Sequence, residues 1–222
     1  MPELGICLSG LVGFLLVLTA DARVGNSSQL SFCTETEQCL LFDLICDTDE
    51  YEVRHYDSVK WVSTDETHFS MDIATMKAFR RLFDYINGTN ENGNNIKMTA
   101  PVLLKVSDTK YFWQKGTYTM SFLLPLEHQK NPPKPTDDKV YINKMPDMNV
   151  YVKSYGGWMM SWFDQKHASD LSSALNSVGA EYKKGFHYAA GYNSPMKIFN
   201  RHNEVWYVAD DEPVCPSSEE LD

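Results

Sequence analysis

The chain has 222 residues, of which 43% are hydrophobic and 13% aromatic. That is enough for one domain with a sizeable core, or two small ones, and it excludes a disordered chain. The formal net charge of −10 argues against a nucleic-acid partner, whose phosphates select a basic surface, and against general attraction to an anionic membrane.

In chain order, residues 1–22 read as a secretory signal. Ile6 to Leu18 is an almost uncharged apolar run, too short to span a bilayer comfortably, and Ala20-x-Ala22 matches a small-residue cleavage site. A retained membrane anchor is the competing reading. Cleavage removes Cys7 and leaves Cys33, Cys39, Cys46 and Cys215, expected to form two disulfides outside the cell with three possible connectivities. If all four pair, one of the first three must bond Cys215 and tie the two ends of the chain together. No C-x-x-C spacing suggests zinc. Asn26-Ser-Ser28 and Asn87-Gly-Thr89 are N-glycosylation sequons, which fit the same secreted, extracellular setting. The expected division is signal 1–22, a cysteine-containing segment 23–48, a folded domain 49–210 and an acidic tail 211–222 carrying Cys215. Residues 23–32 and 216–222 read as flexible ends.

Two stretches of the domain share a layout. Tyr51-Glu-Val-Arg-His-Tyr56 followed by Lys60-Trp-Val-Ser-Thr64 parallels Val150-Tyr-Val-Lys-Ser-Tyr155 followed by Trp158-Met-Met-Ser-Trp162. Each reads as a strand, a turn and a Trp-bearing strand. A helix follows in each half. The first has Ser70 as N-cap and Asp72 in its first turn, and it carries Ile73, Met76, Phe79, Leu82, Phe83 and Ile86 as one packed stripe ended by Asn87-Gly88. The second carries Ala168, Leu171, Ala174, Leu175 and Val178 and stops at Gly179. Pro-bearing strand patterns come next, with Ala100-Pro101 and Ser194-Pro195 in equivalent places, then closing strands at Tyr118–Leu124 and Glu204–Val208. The layout predicts an α+β fold: two β-α-β-β repeats sharing one curved, mostly antiparallel sheet with two flanking helices, joined through the proline-rich residues 129–136.

Catalytic signatures are missing from this pattern. No GxSxG, HExxH, P-loop or GxGxxG occurs, and the four cysteines are committed to bridges, so binding is expected rather than catalysis. The six histidines include no pair three or four apart. Strand alternation sets His55 on one face with Tyr51 and Val53.

Six separated motifs carry a resemblance: Tyr51–Tyr56, Lys60–Thr64, Tyr85-Ile-Asn-Gly-Thr-Asn90, Lys97-Met-Thr-Ala-Pro-Val102, Ala190-Gly-Tyr-Asn-Ser-Pro-Met-Lys197 and Asn200-Arg-His-Asn-Glu-Val-Trp206. In this order they resemble the SOUL/haem-binding-protein family over roughly residues 50–210. The resemblance implies a distorted antiparallel β-barrel with two flanking helices and pseudo-twofold symmetry. It also implies haem or another tetrapyrrole in a shallow apolar groove beside the first helix. On matching positions that groove would use Met76, Phe79 and Phe83, with Lys197 near a propionate. The histidine proposed as haem iron ligand in some members falls on His55, whose strand face could offer it a ring nitrogen. Where some members place basic residues on this helix, this chain has Met76 and Asp84. The function expected is a secreted carrier or scavenger of haem, porphyrin or a related apolar ligand. The alternative is a secreted protein-interaction module that keeps the fold without the tetrapyrrole.

Overall fold

The chain runs through β1 (Val24–Asn26), β2 (Gln38–Leu40), β3 (Asp43–Asp47), β4 (Glu52–Tyr56), β5 (Val59–His68), α1 (Met71–Ile86), β6 (Val102–Ser107) and β7 (Gly116–Leu123). It continues through α2 (Leu126–Gln129), β8 (Val140–Met145), β9 (Met148–Tyr155), α3 (Ser161–Ser177), β10 (Phe186–Gly191) and β11 (Asn203–Val208). The computed structural model describes residues 23–108 and 114–215, so the expected signal and Cys7 lie outside the described residues. Among those described, no helix is long and apolar enough to cross a membrane.

β1 and β2 pair as a ribbon, and the other nine strands form one curled antiparallel sheet in the order β3-β4-β9-β11-β10-β6-β7-β5-β8. Leaving β3 aside, this order is symmetric about the β6–β10 pair. The leading strand of each half crosses to the other: β4 pairs with β9, and β8 with β5. Neither repeat therefore completes its sheet alone, and the fold is the expected pseudo-twofold α+β barrel-like sheet.

Alternation along the strands then sorts side chains into three cores. Trp61, Leu103, Leu123, Ala190 and Trp206 point inside the curl. Their neighbours Val62, Leu104, Phe122 and Ala189 point outward beneath α1. Val53, Tyr151, Val205 and Tyr207 lie beneath α3.

Four expectations need correction. Residues 23–32 are not a loose end, because β1 pairs with β2 and Val24 is buried in the inner core. Trp158–Trp162 is not a strand. Gly157, with φ +82, turns the chain after β9, and Ser161 already opens α3. Neither the two Val-basic-polar-Tyr stretches nor the two prolines are repeat mates: residues 53–56 lie on β4, the counterpart of β8, and residues 152–155 on β9, the counterpart of β5. Val102 pairs with Gly191, so the segment entering β6 and the one leaving β10 emerge side by side at one end of the ladder.

The stripe on α1 is the fourth. Ser70 caps the helix by accepting from the Ile73 amide, as expected, but the buried face is Met71, Ala74, Ala78, Leu82, Tyr85 and Ile86. Ile73, Met76 and Phe83 are 40%, 66% and 46% exposed. The helix is apolar around more than half its circumference, and the small Ala74 and Ala78 let that side approach the sheet most closely.

The cysteines pair Cys33–Cys39 and Cys46–Cys215. The second bridge joins β3 to the end of the described chain across 169 residues, and bridges of this kind contribute about 2–4 kcal/mol. It works with Tyr151, whose hydroxyl accepts from the Val214 amide at 3.0 Å, and Tyr51, whose hydroxyl donates to the Val214 carbonyl at 3.1 Å.

A candidate ligand cavity beside the first helix

Ala74, Ala78 and Leu82 seat α1 on the sheet, and the next sector of the helix faces the end of the central β6–β10 pair. Phe79 and Phe83 stack on that sector with ring centroids 5.8 Å apart, and Phe79 meets Phe122 edge-on at 5.2 Å. Across from them stand the chain entering β6 (Met98, Thr99, Ala100) and the chain leaving β10 (Tyr192 to Met196), the two segments brought together by the Val102–Gly191 pairing. Between these walls lies a cavity of about 450 Å³, within the range of small-molecule sites.

The third wall comes from the N-terminal segment. The Cys33–Cys39 bridge closes a short loop that contributes Glu35 and Thr36 to the lining. Polar bonds hold this loop in place. The Ser194 amide donates to the Glu35 carboxylate at 2.9 Å, Lys197 Nζ donates to Thr34 Oγ1 at 2.9 Å, and Lys97 Nζ donates to the Glu37 carboxylate at 2.6 Å.

Behind the cavity, Tyr192 belongs to a buried polar network. Its hydroxyl donates to Glu204 Oε2 at 2.9 Å, and the Trp206 indole donates to the same oxygen at 2.7 Å. Arg54 Nη1 donates to Glu204 Oε1 at 2.9 Å, and both residues are buried. Burial alone would raise the Glu204 pKa, but the Arg54 charge and the hydrogen bonds from His202 and Trp206 hold it down to about 2. Phe42 covers Arg54 with its ring centroid 4.0 Å from the guanidinium carbon, so a cation–π contact helps hold the N-terminal segment to the barrel. A charge pair so enclosed fixes Tyr192 in one position.

The expected site residues separate. Phe79 and Phe83 line the cavity. Met76 lies on the outer face of α1, outside the lining, and Lys197 stands just behind the wall, engaged with Thr34. His55 is elsewhere. Its strand face is the one beneath α3, where it pairs across β9 with Asn149, and it shares no lining residue with the cavity. Its Nδ1 meets Asn149 Oδ1 at 2.9 Å, and this bond, with Asp147 and Asp57 nearby, raises its pKa above the ordinary 6.5. Asn26 and Asn87 are both exposed.

The family model "SOUL heme-binding protein" matches residues 37–208. The chain belongs to this family. Heme-binding protein 2 of Homo sapiens is 39% identical over 164 residues, covering 74% of this chain and 80% of that protein. Heme-binding protein 2 of Mus musculus is 36% identical, covering 73% and 80%, and heme-binding protein 1 of Mus musculus is 31% identical, covering 71% and 83%. Among solved structures, the EcmrR C-terminal domain superposes with a TM-score of 0.54 at 8% identity, covering 77% of this chain and 99% of that one, a likeness of fold alone.

Sequence reasoning missed the walls contributed by Glu35, Thr36, Met98 and Met196. The signal was partly visible, since 97–102 and 190–197 were two of the family motifs, but only the sheet register places them face to face. Were a haem held here, Phe79 and Phe83 would face its apolar body, and Met98 and Met196 are the lining residues whose sulfur could ligate its iron.

Proposed function

We propose that this chain is a secreted carrier or scavenger of haem, a porphyrin or a related flat apolar ligand, held in the cavity beside α1. The observation that carries the reading is the apolar cavity between the stacked Phe79–Phe83 pair and the two converging strand ends. Names of relatives that are heme-binding proteins point the same way. Two disulfides support an oxidising compartment, and glycans at Asn26 and Asn87 belong to the same proposal. Haem, when bound, supplies a coordinatable iron. The chain supplies the apolar wall of Phe79, Phe83 and Met98, and Lys197 next to the lining would have to leave Thr34 to meet a ligand carboxylate.

Titration of the purified protein with haemin tests this. A saturable shifted Soret band is expected, weakened by Phe83→Ala and unchanged by His55→Ala; no band shift at micromolar haemin overturns it. A second reading, a protein-interaction module, is favoured by outward apolar side chains: Met76, Trp162, Met196 and Phe199 are 66%, 70%, 88% and 79% exposed. Absence of the Soret shift together with recovery of one specific extracellular partner would select it.

A further inference from the structure

The crossed strands leave a seam where the chain passes between repeats. The β4–β5 connection carries Asp57 and the β8–β9 connection carries Asp147, and these connections occupy symmetric places in the sheet order. They meet at the same end of the barrel, where the Ser58 hydroxyl donates to the Met145 carbonyl at 2.8 Å. His55, at the end of β4, faces both acids. Its Nε2 is 3.2 Å from Asp147 Oδ2 and 3.7 Å from Asp57 Oδ1. One ligand atom from each of the three residues lies within 4.8 Å of the other two.

The orientation of the ring is fixed by its other nitrogen. With Nδ1 turned to Asn149 Oδ1, Nε2 is the ring nitrogen that faces the two carboxylates, and it offers them a lone pair only when the ring is neutral with its proton on Nδ1. Two carboxylate oxygens and a ring nitrogen this close call for a positive charge between them, and a bound cation supplies it as a proton on Nε2 does. A histidine held through its second nitrogen is the usual arrangement around a bound transition metal. Asp57 is oriented as well: its Oδ2 faces Arg23 at 3.9 Å, leaving Oδ1 toward His55.

We propose that His55, Asp57 and Asp147 form a site for a divalent transition-metal ion of the zinc type, which clips the two crossover connections together. One imidazole nitrogen and two carboxylate oxygens make a three-ligand set that suits zinc with an open position for water. The set is too small for calcium, which takes six to eight oxygens. The ion would bridge the repeats at the seam, on the α3 side of the sheet, independently of the cavity beside α1. Its physical effect is stabilisation of the closed barrel by mass action.

The test uses the purified full chain, stripped with chelator, at neutral pH. Zinc is added in a calorimeter, and cobalt is added as a spectroscopic probe. Saturable binding of one ion, a cobalt d–d absorption and a zinc-dependent rise in melting temperature are expected. Asp147→Asn, at an exposed position that leaves folding intact, and His55→Gln should each weaken zinc binding by about tenfold or more. Calcium should give none of these signals. Absence of saturable zinc binding overturns the proposal, and so does binding that survives both substitutions unchanged.

Discussion

The two helices of the duplicated unit rest on one sheet in different ways. At the fourth residue of α1 stands Ala74, fully buried and small, and this half of the molecule keeps stacked phenylalanines at an open cavity. At the fourth residue of α3 stands Asp164, also fully buried, whose Oδ2 meets His187 Nε2 at 2.8 Å. His187 Nδ1 meets Asp108 at 3.0 Å, so one imidazole clasps α3, β10 and the end of β6. The duplication repeats the frame but not the chemistry beneath the helix. One copy is locked by charge, and the other is seated by small side chains and left open beside them.

The largest expected effect falls on the locked half. Asp164→Ala leaves a buried histidine without its deepest partner and should cost about 3–5 kcal/mol in urea unfolding. A loss below about 1 kcal/mol would show that the clasp does not hold α3. Next comes pH. Burial disfavours the charged imidazole, yet the hydrogen bonds and charges of Asp108 and Asp164 raise the His187 pKa to about 9. The folded state therefore holds a proton that the unfolded chain releases near its ordinary 6.5. Stability from this group is full below pH 6.5 and is lost as pH rises through about 9, on the order of 3 kcal/mol in all. Unfolding midpoints measured across that window should fall in the wild type and stay flatter in His187→Gln.

Smaller effects belong to the open half. Phe83→Ala, at a half-exposed position, should leave unfolding within about 1 kcal/mol of wild type while weakening haemin binding about tenfold, since a large ring lost from a ligand wall removes on the order of 1.5 kcal/mol. Equal haemin affinity in this variant would move the ligand away from α1. The smallest effect is expected for Met76→Ala, which lies outside the cavity lining: about 0.5 kcal/mol or less in stability, and little change in haemin affinity.

The frame was legible in the sequence because alternation and capping are local. Ser70 and Gly179 mark the helix boundaries, but the Val-basic-polar-Tyr stretches are neighbouring strands and not equivalent ones, since β4 corresponds to β8 and β9 to β5. The side of α1 that packs was not legible. Ile73, Met76 and Phe83 are as apolar as Leu82, and only the closeness that Ala74 and Ala78 permit decides between the two faces. Strand exchange was also hidden, because pairing partners in a sheet are not encoded in hydrophobic period. That exchange sets His55 with Asp57 and Asp147 and away from Phe79 and Phe83. The loop from Cys33 to Cys39 looked like an appendage outside the domain, yet its Glu35 and Thr36 form a wall of the cavity.

Hydrogen exchange of the full chain with and without haemin tests most directly where a ligand is held. New protection is expected in residues 79–87, 98–103 and 191–197, with the α3 segment and the strand bearing His55 unchanged. Protection confined to residues 52–57 and 147–151, with none around Phe79 and Phe83, would contradict a ligand site beside the first helix.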